Sequence, residues 1–393
     1  MIVMALKKKY NYSNYSIHNK ATLIRGGLAY FTALKEIIRH AQSSIHLQTY
    51  IYEQDETGEE IALELINASY RGVMVYVLLD GYASRNLSDD FINRFKDAGI
   101  HFRFFEPVLR SNSFYFGRRL HHKVLVADAQ VALVAGINIS NRYNDLPGDT
   151  AWLDWAIKVE GEAATALFKI CVTLWVKFPK EVKKIISKEK MPIVDTMLHC
   201  AVRVRRNDWV TRKNEISRSY LEMFKKANRE IIIMSSYFLP GRLFRKNLRM
   251  AVKRGVRIKL ILAGASDVWV SKQAERYMYR WLFRNGIEIY EYPHNILHGK
   301  LAVYDSSWVT GGSYNVNNIS AYASIELNLD IKDNSFANNV SITLHDIIDK
   351  ECVRVTEHEY DVAYNIFERF LQYLSYVTFR LIFFLFTFYF RQR

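Results

Sequence analysis

The sequence predicts an α/β protein built from two homologous α/β/α sandwich halves, with a single functional site at their interface. Three observations support this. The chain has 393 residues, more than one ordinary core accommodates. It repeats a long motif at a constant offset. In each half, helix-like segments alternate with apolar, strand-like runs. Half of the residues are hydrophobic and 24% are charged, the composition of a folded chain.

The repeat sets the element order. Residues 121–138 read HHKVLVADAQVALVAGIN and residues 298–315 read HGKLAVYDSSWVTGGSYN. Both fit His-x-Lys-(x)4-Asp-(x)6-[Gly/Ala]-x-x-Asn, pairing His121 with His298, Lys123 with Lys300, Asp128 with Asp305 and Asn138 with Asn315, each 298 − 121 = 177 residues apart. Upstream, helix-like segments at 28–41 and 216–228 feed the apolar runs IHLQTYIY (45–52) and IIIMSSYF (231–238). Arg71-Gly72-Val73 leads into MVYVLLD, and Arg254-Gly255-Val256 leads into RIKLILA. Each half is therefore expected to hold a mixed or parallel sheet. The first half spans 1–180, a linker 181–200, the second half 201–350 and a membrane-interacting tail 351–393. The stretch KFPKEVKKIISKEKMP at the boundary reads as a solvated helix plus loop.

The repeated residues are those that phosphoryl-transfer chemistry needs. On a strand with a period of two, His121 and Lys123 share a face, as do His298 and Lys300. An imidazole beside a compact ammonium makes a phosphate site. Each Asn follows a second strand-like run and a small-residue turn, where its amide reaches a phosphate oxygen; Gly136, Gly311 and Gly312 permit close backbone approach. One motif is half a site, whereas two related by pseudo-twofold symmetry surround one phosphate with two His, two Lys and two Asn. Two lysines and two amides then stand where other enzymes use a metal, so no metal or other cofactor is expected. One imidazole attacks phosphorus and the other protonates the leaving alcohol, then deprotonates the acceptor.

A working imidazole also needs its second nitrogen held, commonly by a carboxylate. Asp154 in WLDWAIKVEG and Glu326 in SIELNLDI are the candidates, with Asp149 a rival to Asp154. Asp128 and Asp305 have the wrong strand parity and are expected to fix turns. His46, His122 and His294 read as structural or surface residues.

Charge and the chain ends suggest the partner. Lys+Arg minus Asp+Glu is 54 − 40 = +14, which favours an anionic partner, membrane or nucleic acid, over a merely solubilising surface. Three separated cysteines with no CxxC spacing exclude a disulfide framework and a structural zinc site. The N-terminus has no apolar stretch of signal-peptide length, so action on the cytoplasmic side is expected. Residues 370–390 read FLQYLSYVTFRLIFFLFTFYF, split by Arg380 into two uncharged blocks of ten residues. Each is short of the roughly 20 apolar residues of a spanning helix. The segment reads as lying in the bilayer interface with Arg380 snorkelling; a spanning helix and one buried against protein are the alternatives.

At these residues the chain resembles the phospholipase D superfamily, and over roughly 18–345 its bacterial cardiolipin synthase branch. Supporting stretches include SIHLQTYIYEQDETG, RGVMVYVLLDG, WLDWAIKVEG, SSYFLPG and LHGKLAVYD. The resemblance implies metal-independent transfer of a phosphatidyl group through a phosphohistidine, from phosphatidylglycerol or a related lipid to the hydroxyl of a second phosphatidylglycerol, making cardiolipin. It also implies that His121 is the nucleophile. The longer synthases carry N-terminal transmembrane helices that this chain lacks, which suggests peripheral or monotopic association with an anionic phospholipid membrane. The chain departs from the pattern at His122, where Arg is frequent, and at Ala135, where Gly is usual. A phosphodiesterase hydrolysing phospholipid or nucleic acid is the alternative, since it shares the intermediate. The tail favours lipid, so no nucleic-acid partner is expected. Nothing in the sequence sets an oligomeric state.

Overall fold

The computed structural model describes residues 14–107, 118–176, 179–189, 193, 195–317 and 324–391. The first half runs β1 (Asn19–Arg25), α1 (Leu28–His40), β2 (Ser44–Thr49), α2 (Glu56–Tyr70), β3 (Met74–Asp80), α3 (Asp89–Asp97), β4 (His101–Phe105), β5 (Arg119–Leu120), β6 (Lys123–Ala127), β7 (Val131–Ala135), β8 (Trp155–Gly161) and α4 (Glu162–Trp175). Helix α5 (Pro179–Lys188) crosses to the second half. There follow β9 (Ala201–Asp208), β10 (Lys213–Asn214), α6 (Glu215–Lys226), β11 (Glu230–Ser235), α7 (Arg242–Lys253), β12 (Arg257–Ala263), α8 (Trp269–Arg284), β13 (Glu288–Tyr292), β14 (Leu301–Tyr304), β15 (Trp308–Gly312), β16 (Ser324–Lys332) and α9 (Asn334–Glu351). The chain ends with β17 (Val353–Val355), α10 (Glu357–Ala363) and α11 (Ile366–Arg391).

The first sheet has the order β1-β8-β7-β6-β2-β3-β4, and the second contains β9-β16-β15-β14-β11-β12-β13, the same path strand for strand. Both sheets are mixed: β2-β3-β4 and β11-β12-β13 are parallel, and the strands on the motif side are antiparallel. The parallel runs MVYVLLD and RIKLILA are β3 and β12 to the residue. Their near-continuous apolar character reflects cover on both faces.

Strand alternation divides the side chains between cores. On β6, Val124 and Val126 enter a core shared by both halves, while Leu125 and Ala127 enter the first half's own. On β11, Ile232 and Met234 face the shared core, and Ile231 and Ile233 the second half's own. The two sheets thus bury one face each around a common core that also takes residues of α4 and α9. The boundary stretch is less solvated than expected, because Val182, Ile185 and Ile186 of α5 pack against this core.

Two expected strands end early. The run 45–52 leaves the sheet after Thr49 because Ile51 N–H donates to Asn138 Oδ1 (3.1 Å) and Tyr52 N–H to Ser84 Oγ (3.0 Å) instead of to a ladder. The run 231–238 likewise leaves after Ser235. The segment 370–390 lies within one helix, α11, which docks on α8. Among the described residues no helix is long and apolar enough to cross a membrane.

Candidate active site

The two motif histidines stand at strand entries, not on strands: β6 begins at Lys123 and β14 at Leu301. Their backbone groups pair across the interface. His121 N–H donates to Ile325 O (3.1 Å), and His298 N–H donates to Leu153 O (2.7 Å). Each motif is thereby stitched to the opposite half, and the same-strand geometry expected for His and Lys is replaced by this crossing.

The carboxylates cross as well. His121 Nδ1 lies 2.9 Å from Glu326 Oε1 and 3.0 Å from Oε2, while His298 Nδ1 lies 2.6 Å from Asp154 Oδ2. Asp154 and Glu326 occupy equivalent ladder positions. Each sits two residues ahead of the residue (Ala156, Asn328) that pairs with Ala135 or its counterpart Gly312. Both carboxylates are buried, a placement that is costly without partners. An Nδ1–H donated to carboxylate leaves Nε2 carrying the lone pair of the neutral ring. Asp149 is exposed in a turn with Leu146 and is not brought to either imidazole.

The supports of the two acids differ. Glu326 accepts from Ser313 Oγ and from Ser324 Oγ (2.7 Å). Asp154 accepts from Trp155 N–H (2.8 Å) and fills the space beside Gly136, where a Cβ would meet its oxygens at 2.4 and 2.6 Å. Gly136 and Ser313 are motif counterparts (136 + 177), so the first half needs the missing side chain that the second half uses as a donor.

Both lysines are buried. Lys123 Nζ donates to His121 O (2.6 Å) and sits 5.2 Å over the Tyr50 ring. Lys300 Nζ donates to Ser236 Oγ (3.2 Å) and to His298 O, and lies 2.9 Å from His298 Nδ1. Burial pushes the Lys123 ammonium down to about 7 against the pull of Glu326, with Lys300 adding repulsion. Burial also lowers Lys300, against Asp154 and Glu326. The imidazoles respond in the same field. Burial lowers His121, with Lys123 and Lys300 adding to the fall and Glu326 opposing it. Burial and then Lys300 lower His298, with Asp154 opposing and Lys123 contributing. Burial alone would raise Glu326, but His121 and Lys123 hold it below the usual carboxylate range. Each motif therefore feels the charges of the other.

Asn138 Oδ1 accepts from Ile51 N–H, and its Nδ2 donates one N–H to Tyr143 OH (2.8 Å), so this amide holds the chain beyond β2 and the Tyr143 ring. Asn315 is buried, with no partner for Oδ1 among the described residues. Asp128, at φ 53°, accepts from the N–H groups of Gln42, Ser43 and Ser44 at 2.7–3.0 Å. Asp305, at φ 50°, accepts from those of Asn228, Arg229 and Glu230 at 2.8–2.9 Å. Both are turn staples, in the left-handed conformation that Asp tolerates better than most residues. His46 is sealed in the core against Tyr76 and Phe168, His122 meets Gln48 Oε1 (2.9 Å), and His294 is exposed. Among the described residues no group of three or more His, Cys, Asp or Glu could hold a metal.

Sequence reasoning missed the rings and hydroxyls around this cluster. Tyr50 packs edge-on to His121 (4.8 Å between centroids), and Tyr143 and Trp152 flank His298 (5.3 and 6.0 Å). Tyr50 and Ser236 are counterparts, each the first residue past the strand (β2, β11) beside the motif strand. Superposing those strand ends would have shown both. Buried Asp80, at the end of β3, accepts from Leu120 N–H (2.8 Å), Tyr82 N–H (3.0 Å) and Ala83 N–H (3.1 Å) and so anchors the segment entering His121.

A family model described as "Cardiolipin synthase, PLD-like domain" matches residues 34–166 and 220–347, one match per half. The chain belongs to the phospholipase D superfamily, in its cardiolipin synthase-like branch. It is 34% identical over 354 residues to cardiolipin synthase B of Escherichia coli K12, covering 86% of this chain and 83% of that one. It is 27% identical over 328 residues to cardiolipin synthase 2 of Staphylococcus epidermidis, covering 82% and 66%. Among solved structures, the phosphatidylserine synthase of Haemophilus influenzae superposes with a TM-score of 0.72 at 15% identity, covering 94% of this chain and 95% of that one, a likeness of fold. This superfamily member is accordingly an enzyme, and its two halves are the two phospholipase D-like units.

Proposed function

We propose that this enzyme makes cardiolipin from two molecules of phosphatidylglycerol through a phosphohistidine. The observation that carries the reading is the crossed arrangement: two imidazoles, each held by a buried carboxylate of the opposite half, within one field of two buried ammonium groups. The names of its cardiolipin synthase relatives support the choice of lipid.

In this reading His121 Nε2, neutral because burial disfavours the imidazolium, attacks the phosphorus of the donor. The bond from phosphorus to the glycerol headgroup breaks, and protonated His298 gives the leaving glycerol its proton. A second phosphatidylglycerol then attacks phosphorus through a headgroup hydroxyl whose proton passes to His298, and the P–N bond to His121 breaks. The side chain of His121 is 19% exposed against 9% for His298, which suits the ring that must reach phosphorus. Burial and Lys300 oppose the imidazolium at His298, and the negative charge of a bound phosphodiester offsets both. Lys123, Lys300 and the Asn315 amide neutralise the charge that develops on the phosphoryl oxygens.

The enzyme is further proposed to work as a peripheral protein on the cytoplasmic membrane face, with α11 lying on the bilayer. Incubating purified protein with phosphatidylglycerol vesicles and analysing the lipids by mass spectrometry tests the reaction. Cardiolipin with one glycerol released per product supports it, and phosphatidic acid alone establishes the hydrolase instead. Turnover is expected to survive EDTA. Truncation after residue 368 tests the membrane role: an undiminished vesicle-bound fraction refutes it.

A further inference from the structure

Away from the imidazoles, α7 and α8 enclose a groove of about 560 Å³ lined by Arg242, Leu243, Arg245, Lys246, Arg249 and Trp281. The four cations recur at i, i+3, i+4 and i+7, the spacing of one helix stripe. None of them pairs with a carboxylate among the described residues. Arg245 lies over the Trp281 ring at 5.9 Å, so an aromatic wall backs the charge. Four like charges on two helical turns repel one another and favour an anion between them.

The surroundings of the groove identify the anion's carrier. Trp281 also packs with Tyr376 and Phe379 of α11 against Leu239, Ala274 and Met278, so groove and C-terminal helix share a wall. On the inward face of α11, Gln372 and Ser375 are buried beside Tyr376 and Phe379, while Phe367, Phe370, Tyr373, Leu374, Val377 and Leu381 are exposed. The start of α8 adds the exposed tip Val268-Trp269-Val270. An apolar helix face, an aromatic tip and a cationic groove match the interior, interface and headgroup layers of a bilayer. A nucleic acid would supply phosphate but no apolar phase for the α11 face.

We propose that the α7–α8 groove binds the headgroup phosphates of anionic phospholipid in the leaflet on which α11 lies, a site distinct from the one at His121 and His298. The inference rests on the membrane part of the reading above and not on its chemistry.

Wild-type protein, Arg242→Gln/Arg249→Gln and the control Lys225→Gln/Lys253→Gln, whose charges are exposed outside the groove, are sedimented with phosphatidylcholine vesicles with and without phosphatidylglycerol. At about 5-fold per juxtamembrane cation, the groove variant loses roughly 10- to 30-fold in partitioning onto anionic vesicles, and the control less than about 3-fold. Partitioning onto neutral vesicles stays unchanged. Turnover in detergent-dispersed lipid is unchanged for both variants, so a wild type that turns over no lipid counts against the reaction and not against the groove. Equal losses in the two variants, an unaffected groove variant, or a wild type that prefers a short oligonucleotide to anionic vesicles overturns the proposal.

Discussion

The two halves share one strand order, yet they surround their imidazoles differently. His121 is the more exposed ring, packed edge-on to Tyr50, and its carboxylate is held by two serine hydroxyls. His298 is deeper, flanked by Tyr143 and Trp152, and its carboxylate is pressed against the bare backbone of Gly136. The ammonium of the first half rests over an aromatic ring, while that of the second donates to Ser236. The two halves hold two copies of one site, and in the proposed reaction these neighbours would fit one copy to attack and the other to exchange protons.

The sharpest way to break this comparison is at the rings themselves. His121→Ala is expected to lower turnover roughly 10⁵-fold or more, as removal of a nucleophile does elsewhere. His298→Ala should slow both formation and breakdown of the phospho-enzyme, since the same ring protonates the leaving glycerol and takes the acceptor's proton; wild-type turnover in that variant refutes the division of labour. The crossed carboxylates come next. Asp154→Asn and Glu326→Gln should each cost about 10²- to 10⁴-fold in kcat. Adding Asp154→Asn to His298→Ala should cost almost nothing more, whereas adding Glu326→Gln to it should cost nearly its full amount; the reverse pattern would mean that the pairs are not crossed.

Smaller effects separate the supports. Gly136→Ser must displace the Asp154 carboxylate and should lose about 10²-fold in turnover. Ser313→Gly removes one hydrogen bond to Glu326, about 1 kcal/mol, and should lose less than about 10-fold. Comparable losses would show that the two acids are held alike. The pH profile is the gentlest probe. Attack needs neutral His121, and burial lowers its pKa, so the deprotonated ring persists to more acid pH than in a free histidine. The acid limb of kcat/KM should therefore fall below about pH 6.5, the ordinary histidine value, and a limb above it would contradict the assignment.

Much of this was legible in the sequence. The runs MVYVLLD and RIKLILA are β3 and β12, buried from Val75 and from Leu260 onward, where the residues are almost all apolar. Asp128 and Asp305 lie in the turns that parity assigned them. The crossing was not legible. Asp154 and Glu326 could be picked out as candidate acids, but which imidazole each meets depends on how two sheets face one another, and no local pattern records that. The same holds for the partners of Asn138, since no local pattern places Ile51 and Tyr143 beside its amide. In the tail, apolar content was plain, but the burial of Gln372, which accepts from Tyr360 OH of α10, and of Ser375 depends on how α11 docks.

The exchange of carboxylates makes the halves mutually dependent. Cut apart, each would retain an imidazole with nothing to orient it and a buried acid without its cation, so neither fragment should show even a weakened version of the reaction. Any motion that opened the seam would part both rings from their carboxylates at once.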